Sequence, residues 1–145
     1  MIIAETNRLI ISEFTTEDAP FYLKLVNTPH WIKYIGDINL KTLEQAVNAL
    51  KEGNINSYKN NGFGFYKLQL KDNNLKPIGT CGLVKRDSLD DVDIGFAMLP
   101  EYERKGFGYE SSLEILKLAK RKFNLKRIVA ITLPNNKGSI ALLEN

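Results

Sequence analysis

Three short apolar segments follow one another between residues 63 and 98, and this succession constrains the fold more than any other feature of the sequence. The first, Phe63 to Leu70, alternates imperfectly between apolar and polar residues, and the others are Pro77 to Val84 and Val92 to Met98. Turn residues at 72–74 separate the first two segments, and polar residues at 85–91 separate the last two. Because connections this short join neighbouring antiparallel strands, the sequence predicts an antiparallel meander.

One strand and two helices are predicted before the meander. The strand is Arg8 to Glu13, and the first helix begins after the cap residue Thr15 and ends before Pro29. Thr42 has the spacing of a capping box for the second helix, and Gly53 is placed to end that helix.

After the meander, the pattern predicts a long helix beyond Pro100, a buried strand from Arg127 to Thr132 and a last helix from Ser139 to Glu144. Together the elements describe an α/β (α+β) protein with a mixed, mainly antiparallel sheet flanked by helices. No repeat or Pro/Ser-rich linker divides the 145 residues, so the whole chain is expected to form a single domain.

Cysteine and histidine counts exclude two scaffolds that small proteins often use. One cysteine cannot form an internal disulfide, and with one histidine it cannot supply four zinc ligands, so no metal is expected.

The longest apolar run, Ile94 to Leu99, falls far short of the ~20 residues that a membrane span requires. Glu5 and Arg8 come too early for a secretory signal. The sequence therefore predicts a cytoplasmic protein with no membrane partner.

Basic residues concentrate between Glu101 and Arg127. This segment holds eight basic and four acidic residues, a balance of +4, whereas the whole chain carries +3. Such a local bias suits a small anionic ligand, although a solvated helix face rich in lysine remains an equal alternative. Nucleic acid is not an expected partner, because the basic face lacks interleaved exposed aromatic residues.

A loop with two glycines, Gly106 and Gly108, joins the last strand of the meander to the long helix. The glycines allow the backbone to curl around a ligand, and the first amides of a helix have no internal partners, so such a loop can hold phosphate. The alternative is a plain strand-to-helix connection. The loop lacks the third glycine of the dinucleotide fingerprint, and the sequence has no P-loop and no G-x-S-x-G motif.

The segment from Ile94 to Gly108 resembles motif A of the GNAT superfamily of acyl-CoA-dependent N-acetyltransferases. Two flanking segments agree with this resemblance. Residues 5–9 resemble the opening of the branch that acetylates ribosomal-protein N-termini, and residues 136–144 resemble its closing asparagine-to-serine motif. Three motifs in the right order are more specific than the glycine loop alone, and the similarity runs from about Thr6 to the end of the chain.

The resemblance implies that the protein transfers an acetyl group from acetyl-CoA to a primary amine by direct attack. It implies that backbone groups at the end of the fourth predicted strand pair with the pantetheine arm, that the glycine loop binds the pyrophosphate, and that Asn136 forms a hydrogen bond near the thioester. The strand residues are Phe96, Ala97 and Met98, and the loop residues are Arg104, Lys105, Gly106, Phe107, Gly108 and Tyr109.

Acetyl transfer also needs a base and a group near the departing thiolate. Asp93 is the candidate base because it shares a strand face with Gly95 and Ala97, although an exposed acid is an equal alternative. Ser139 is the candidate near the thiolate, and its alternative is a helix N-cap. Cys81 is expected to be a small core residue, because direct transfer needs no cysteine nucleophile.

The acceptor is expected to be a protein N-terminal α-amine or a small-molecule amine. An α-amine, with a pKa of about 7.7 to 8.0, is partly neutral at physiological pH, whereas a lysine at about 10.4 needs a stronger base. Trp31, Tyr34 and Phe65 either line an acceptor pocket or belong to the core. His30, beside Pro29, is expected to have a surface role.

Two departures from the family pattern are visible. Glu103 stands where the family usually has Gln or Arg, and the chain ends at Asn145 where the family continues into a final pair of strands. The domain is therefore expected to lack its C-terminal strand pair, to expose the edge of Arg127 to Thr132 and to have weak activity. Either a second copy covers this edge in a homo-oligomer, or the natural protein is longer than this chain. The alternative function is a non-catalytic acyl-CoA-binding or protein-interaction module.

The glycine loop also provides a test of coenzyme binding. Gly108→Val is expected to abolish coenzyme binding without unfolding the protein.

Overall fold

The computed structural model describes residues 1–34, 37–85, 92–121 and 128–130, with the backbone alone at 34, 85, 92, 93 and 128–130. Within these ranges six strands form one sheet in chain order. The strands are β1 (Ile2–Glu5), β2 (Leu9–Glu13), β3 (Phe65–Leu70), β4 (Lys76–Lys85), β5 (Val92–Met98) and β6 (Ile128–Ala130). Strands β1 to β5 are antiparallel to their neighbours, and β6 runs parallel to β5. The predicted meander and the mixed, mainly antiparallel sheet are confirmed.

Five helices accompany the sheet in the described ranges. They are α1 (Ala19–Val26), α2 (Pro29–Tyr34), α3 (Leu43–Leu50), α4 (Asn56–Asn61) and α5 (Phe107–Arg121). Short 3-10 turns at Thr16–Asp18 and Pro100–Tyr102 precede α1 and α5, and a π-helical turn at Lys51–Ile55 joins α3 to α4. None of these helices is long and apolar enough to cross a membrane.

Helix α1 ends at Val26, before Pro29, as the sequence predicts, and Pro29 begins a further helix, α2, because proline is tolerated in the first turn of a helix. The end of the second predicted helix differs from the prediction. Gly53 lies inside the π-helical turn and does not end the helix, since one interior glycine costs only about 0.5–1 kcal/mol relative to alanine. The helical segment ends instead at Gly62, whose φ of 81° is left-handed. Strand β1 was not predicted, and the predicted helix at 139–144 lies outside the described residues.

The predicted capping box at Thr42 is confirmed. The Thr42 hydroxyl accepts the backbone N–H of Gln45 at 3.1 Å, and the Gln45 side chain accepts the N–H of Thr42 at 3.2 Å. The same reciprocal arrangement links Thr15 and Asp18 at the turn before α1. Each box satisfies backbone donors that a helix start would otherwise leave unpaired.

One face of the sheet packs against α5 and forms the main core. Tyr66, Cys81 and Phe96 lie side by side across β3, β4 and β5, and the Cys81 Sγ is 3.7 Å from the Ser112 hydroxyl on α5. The other buried members are Leu9, Ile11, Phe63, Leu68, Ile78, Leu83, Ile94, Met98, Phe107, Ile115, Leu118 and Ala119. Strand alternation thus directs one set of apolar side chains to the helix.

A second, smaller cluster involves α1 and α3. Phe14 is buried there with Ala19, Ala46 and Leu50. Lys67, which alternates with Tyr66 and Leu68 along β3, places its Nζ 2.8 Å from the Asp18 Oδ1, immediately before α1. This ion pair connects α1 to the sheet face opposite α5.

Tyr58 on α4 connects the helical segment to the sheet. Its hydroxyl accepts the backbone N–H of Phe14 at 3.1 Å and donates to the carbonyl of Phe65. Its ring stacks on Tyr66, with the ring centroids 5.3 Å apart. Burial raises the pKa of Tyr58 despite the hydrogen bond from Phe14, so the side chain remains a neutral phenol at physiological pH.

Tyr58→Phe is expected to lower the free energy of unfolding by about 1–3 kcal/mol, because it keeps the ring but leaves two backbone groups without a partner. Urea denaturation measures the loss. The control is Tyr109→Phe, which removes the hydroxyl of a side chain that is 54% exposed and is expected to change stability by less than about 0.5 kcal/mol. Equal stabilities of the two variants would contradict this prediction.

Candidate functional site

The loop between β5 and α5 contains two residues with left-handed backbone conformations. Arg104 has a φ of 60°, and Gly106 has a φ of 84°. A left-handed conformation is uncommon for a residue other than glycine, and such strain concentrates at functional sites. Helix α5 begins directly afterwards at Phe107, and the N–H of Glu110 donates the first hydrogen bond of the helix, to the Gly106 carbonyl at 2.9 Å.

The backbone amides of residues 104–109, called the amide loop below, are available to a ligand. None of them donates a hydrogen bond to another residue in the part of the chain that the structure describes. They precede the first helical hydrogen bond, where the helix dipole adds partial positive charge. The amide loop therefore fits an anion with several acceptor oxygens, such as the pyrophosphate of a coenzyme.

The last residues of β5 carry a second set of backbone groups that no described strand pairs with. Within the described ranges, β6 pairs with Val92, Asp93 and Ile94, whereas β4 pairs with the whole length of β5. No strand in the described ranges pairs with the other side of residues 95–98, called the open edge below. An extended ligand can add to such an edge like a further strand. Only Leu99 separates the open edge from the turn that leads into the amide loop.

The structure thus brings the predicted strand residues and the predicted loop residues together. The side chains of Ala97 and Met98 are buried, so these residues can meet a ligand only through the backbone. Phe96 is half-buried and packs against the core of the α5 face. Core packing by side chains and pairing by backbone groups are compatible, as the sequence analysis expected.

Gly108 has a packing role besides the ligand-binding role expected from the sequence. A Cβ atom at this position would lie 2.3 Å from the Phe96 Cε2, which is too close for any real contact. The missing side chain therefore allows α5 to approach β5, and the close approach is to Phe96. The expectation that Gly108→Val affects only the ligand is corrected accordingly, because the larger side chain would also displace the Phe96 ring.

Glu110, which the sequence analysis did not assign, connects the amide loop to the N-terminal segment. Its carboxylate accepts the Arg8 Nε–H at 2.7 Å, the Arg8 backbone N–H at 3.0 Å and the hydroxyl of Thr6. Burial alone would raise the pKa of Glu110, but these hydrogen bonds and the Arg8 charge outweigh it, and the pKa lies below its usual value. The only sequence signal for this contact was the motif at residues 5–9, which is far from Glu110 in the chain.

Glu103, the acid at the first position of the loop motif, lies beside α2. Its Oε1 is 3.7 Å from the His30 Nδ1. The side chain of His30 is 45% exposed, in agreement with its expected surface position. Next to it, Trp31 has a buried indole N–H without a hydrogen-bond partner among the described residues. Trp31 thus provides a buried donor next to the residue that contacts Glu103, which directly precedes the amide loop in the chain.

Other predicted residues are only partly described. Asp93 lies at the expected position in β5, between Val84 and Val129 of the neighbouring strands, and its side chain is outside the description. Asn136 and Ser139 lie outside the described residues, as does the side chain of Tyr34. Phe65 begins β3 and is partly buried. The described residues contain no cluster of three or more potential metal ligands.

A meander with an open edge that leads into an amide loop is the arrangement expected of a GNAT-type acyltransferase. The chain matches the family model of the acetyltransferase (GNAT) domain over residues 8–145, and it belongs to this family. As a member, it is an acetyl-CoA-dependent N-acetyltransferase. This finding favours an enzyme over the non-catalytic module considered above.

Known proteins agree with this assignment. The chain is 26% identical to the uncharacterized N-acetyltransferase YoaA of Bacillus subtilis (strain 168) over 144 residues, which covers 97% of this chain and 79% of YoaA. It resembles a GNAT-family acetyltransferase structure from Bacillus anthracis, with a TM-score of 0.76, 24% identity and coverage of 99% and 81% of the two chains. It also resembles RimL, a ribosomal L7/L12 α-N-protein acetyltransferase in complex with coenzyme A, with a TM-score of 0.79, 16% identity and coverage of 98% and 80%. The two structural likenesses show the fold.

Gly108→Ala is expected to lower the free energy of unfolding by about 1–3 kcal/mol, because the added methyl group must displace the Phe96 ring. The affinity for coenzyme A is expected to fall as well, because the added methyl group also shifts the start of α5, which belongs to the amide loop. Phe96→Leu makes room for the methyl group, so the double variant is expected to be more stable than the sum of the two single losses predicts. Urea denaturation and calorimetry with coenzyme A measure both effects. Strictly additive losses would show that the two residues do not contact each other.

Proposed function

We propose that the protein acetylates a primary amine, either the N-terminal α-amine of a protein or a small-molecule amine, by direct attack on the thioester of acetyl-CoA. Acetyl transfer itself follows from the family, and the proposal concerns the acceptor and the residues. The observation that carries the assignment of the coenzyme-binding residues is the row of unpartnered amides at residues 104–109 beside the open edge of β5.

The amide loop would bind the pyrophosphate, and the open edge would bind the pantetheine arm. Arg104 and Lys105 are exposed and add positive charge to the amide donors. The backbone of Phe96, Ala97 and Met98 would pair with the amide groups of the arm. Asn136 would add a hydrogen bond near the thioester.

The chemistry needs few groups from the protein. The lone pair of the neutral amine attacks the thioester carbonyl carbon, a C–N bond forms and the C–S bond breaks. A backbone N–H of β5 would stabilise the oxyanion, Asp93 would accept the amine proton, and the Ser139 hydroxyl would lie near the departing thiolate. Asp93 pairs with Val129 of β6 and lies shortly before the open edge in β5.

Cys81 supports direct attack over a route through an acyl-cysteine. The thiol is fully buried in the core beneath α5. Burial raises its pKa to about 11, although hydrogen bonds with Ser111 and Ser112 act in the opposite direction. A neutral thiol without access to solvent cannot act as the nucleophile.

An α-amine suits this site better than a lysine side chain. Its lower pKa leaves a useful neutral fraction at physiological pH without a strong base. RimL, which shares the fold, is described as an α-N-protein acetyltransferase. The buried indole N–H of Trp31 would be a donor for the acceptor, in keeping with the pocket role considered for this residue.

Release of coenzyme A is expected when acetyl-CoA is mixed with a peptide that has a free N-terminus and no lysine. A lysine-containing peptide with an acetylated N-terminus is the matched control and is expected to be a poor substrate. A polyamine tests the small-molecule alternative. Turnover confined to the lysine peptide would refute the proposed acceptor, and coenzyme binding without turnover of any amine would refute the enzymatic proposal.

Asp93→Asn is expected to lower kcat by about 10²- to 10⁴-fold, because the amine proton loses its acceptor. The KM for acetyl-CoA should change little, since the residue does not bind the coenzyme in this proposal. Asp72→Asn, in the exposed turn between β3 and β4, is the matched control. Wild-type turnover and an unchanged pH profile for Asp93→Asn would identify Asp93 as a solvated acid.

A further inference from the structure

The segment from Thr6 to Arg8 is attached to the sheet by hydrogen bonds on one side. The carbonyl of Arg8 accepts the backbone N–H of Lys71 at 2.9 Å, and the carbonyl of Thr6 accepts the Lys71 Nζ at 2.7 Å. The N–H of Thr6 donates to the Leu9 carbonyl at 2.8 Å and closes the turn between β1 and β2. The backbone of Arg8 therefore has a defined position relative to β3 and β4.

On the other side, the Arg8 side chain holds the amide loop itself. Its Nη1 donates to the carbonyl of Lys105 at 3.1 Å, and its guanidinium lies 4.1 Å from the centre of the Phe107 ring. In a trans peptide the C=O and the following N–H point in opposite directions. A Lys105 carbonyl that faces Arg8 therefore directs the N–H of Gly106 to the opposite side of the loop, where it is free for a ligand.

Arg8 also balances the charge of Glu110. This carboxylate lies in the first turn of α5, at the same helix end as the free amides, where a negative charge would oppose the binding of an anion. The Arg8 Nε is 2.7 Å from the Glu110 Oε1, and the two side chains are 37% and 20% exposed. The pair thus removes most of the unfavourable charge while fixing the first turn.

From these contacts we infer that Arg8 is a positioning residue for the coenzyme. It holds the amide loop in the conformation that binds pyrophosphate, through the Lys105 carbonyl and the Glu110 carboxylate. The inference rests on the proposed binding of pyrophosphate by residues 104–109. Because a preorganised loop binds without an ordering cost, the effect of Arg8 is on affinity for acetyl-CoA rather than on the acetyl-transfer step.

Arg8→Ala is expected to raise the KM for acetyl-CoA by about 10- to 100-fold and to leave kcat within about threefold. Acetyl-pantetheine carries the same thioester without the pyrophosphate, so its kcat/KM is expected to stay within about threefold of the wild-type value. A general structural defect would impair both substrates equally. Arg121→Ala, which removes the exposed arginine paired with Glu114 at the other end of α5, is the matched control.

Two further variants separate the geometric and electrostatic contributions. Arg8→Lys keeps the charge but cannot contact Glu110 and the Lys105 carbonyl with one planar group, so an intermediate loss of affinity is expected. If Arg8→Ala is unstable at the assay temperature, the kinetics with acetyl-CoA and acetyl-pantetheine are compared for Arg8→Lys instead. Arg8→Ala combined with Glu110→Gln is expected to regain part of the lost affinity, because the uncompensated carboxylate is gone.

Calorimetry with coenzyme A distinguishes failure of this inference from failure of the proposed function. Wild-type protein that binds no coenzyme A would refute the proposed binding by the amide loop, and this inference with it. Wild-type binding that Arg8→Ala retains in full would refute the inference alone. An equal loss of kcat/KM for acetyl-CoA and acetyl-pantetheine would also overturn it.

Discussion

The close contact between Gly108 and Phe96 is the constraint on which the site depends. The distance of 2.3 Å from a hypothetical Cβ to the ring means that any side chain at this position would force the Phe96 ring or α5 to move. The contact brings the start of the helix next to the strand whose edge is open. Further along α5, Ser111, Ser112 and Ile115 are buried against the same sheet face. Helix packing and ligand binding therefore share one geometric requirement.

Two acids near the amide loop differ in how they are paired. Glu110 forms an ion pair with Arg8, whereas Glu103 lies 3.7 Å from the His30 Nδ1, a contact that is an ion pair only when the imidazole is protonated. Arg104 and Lys105 form no ion pair with any residue in the described ranges. These two side chains therefore add positive charge beside the free amides.

Much of the fold was predictable because strand alternation and helix caps are local signals. The meander, the Thr42 box and the start of the long helix all follow from residues a few positions apart. The boundary at Gly53 was wrong because one interior glycine has a weak penalty that helix packing overcomes, whereas the end of α1 before Pro29 agrees with the prediction. In the site, the loop and the strand end were recognised from one continuous motif. The contacts of Thr6 and Arg8 with Glu110 were missed, since no spacing rule joins an acid to partners so far away in the chain.

The long separation in the chain between the N-terminal segment and α5 affects when the parts of this site form. Strands β3 to β5 are joined by short connections, so their contacts are of the kind that forms early in folding, whereas the helical segment separates β2 from β3. Arg8 and Glu110, by contrast, are 102 residues apart. During synthesis the first strands of the meander can pair long before the helix that carries Glu110 exists. The contact that holds the amide loop therefore cannot form until α5 has been synthesised, later than the first strands that support the loop.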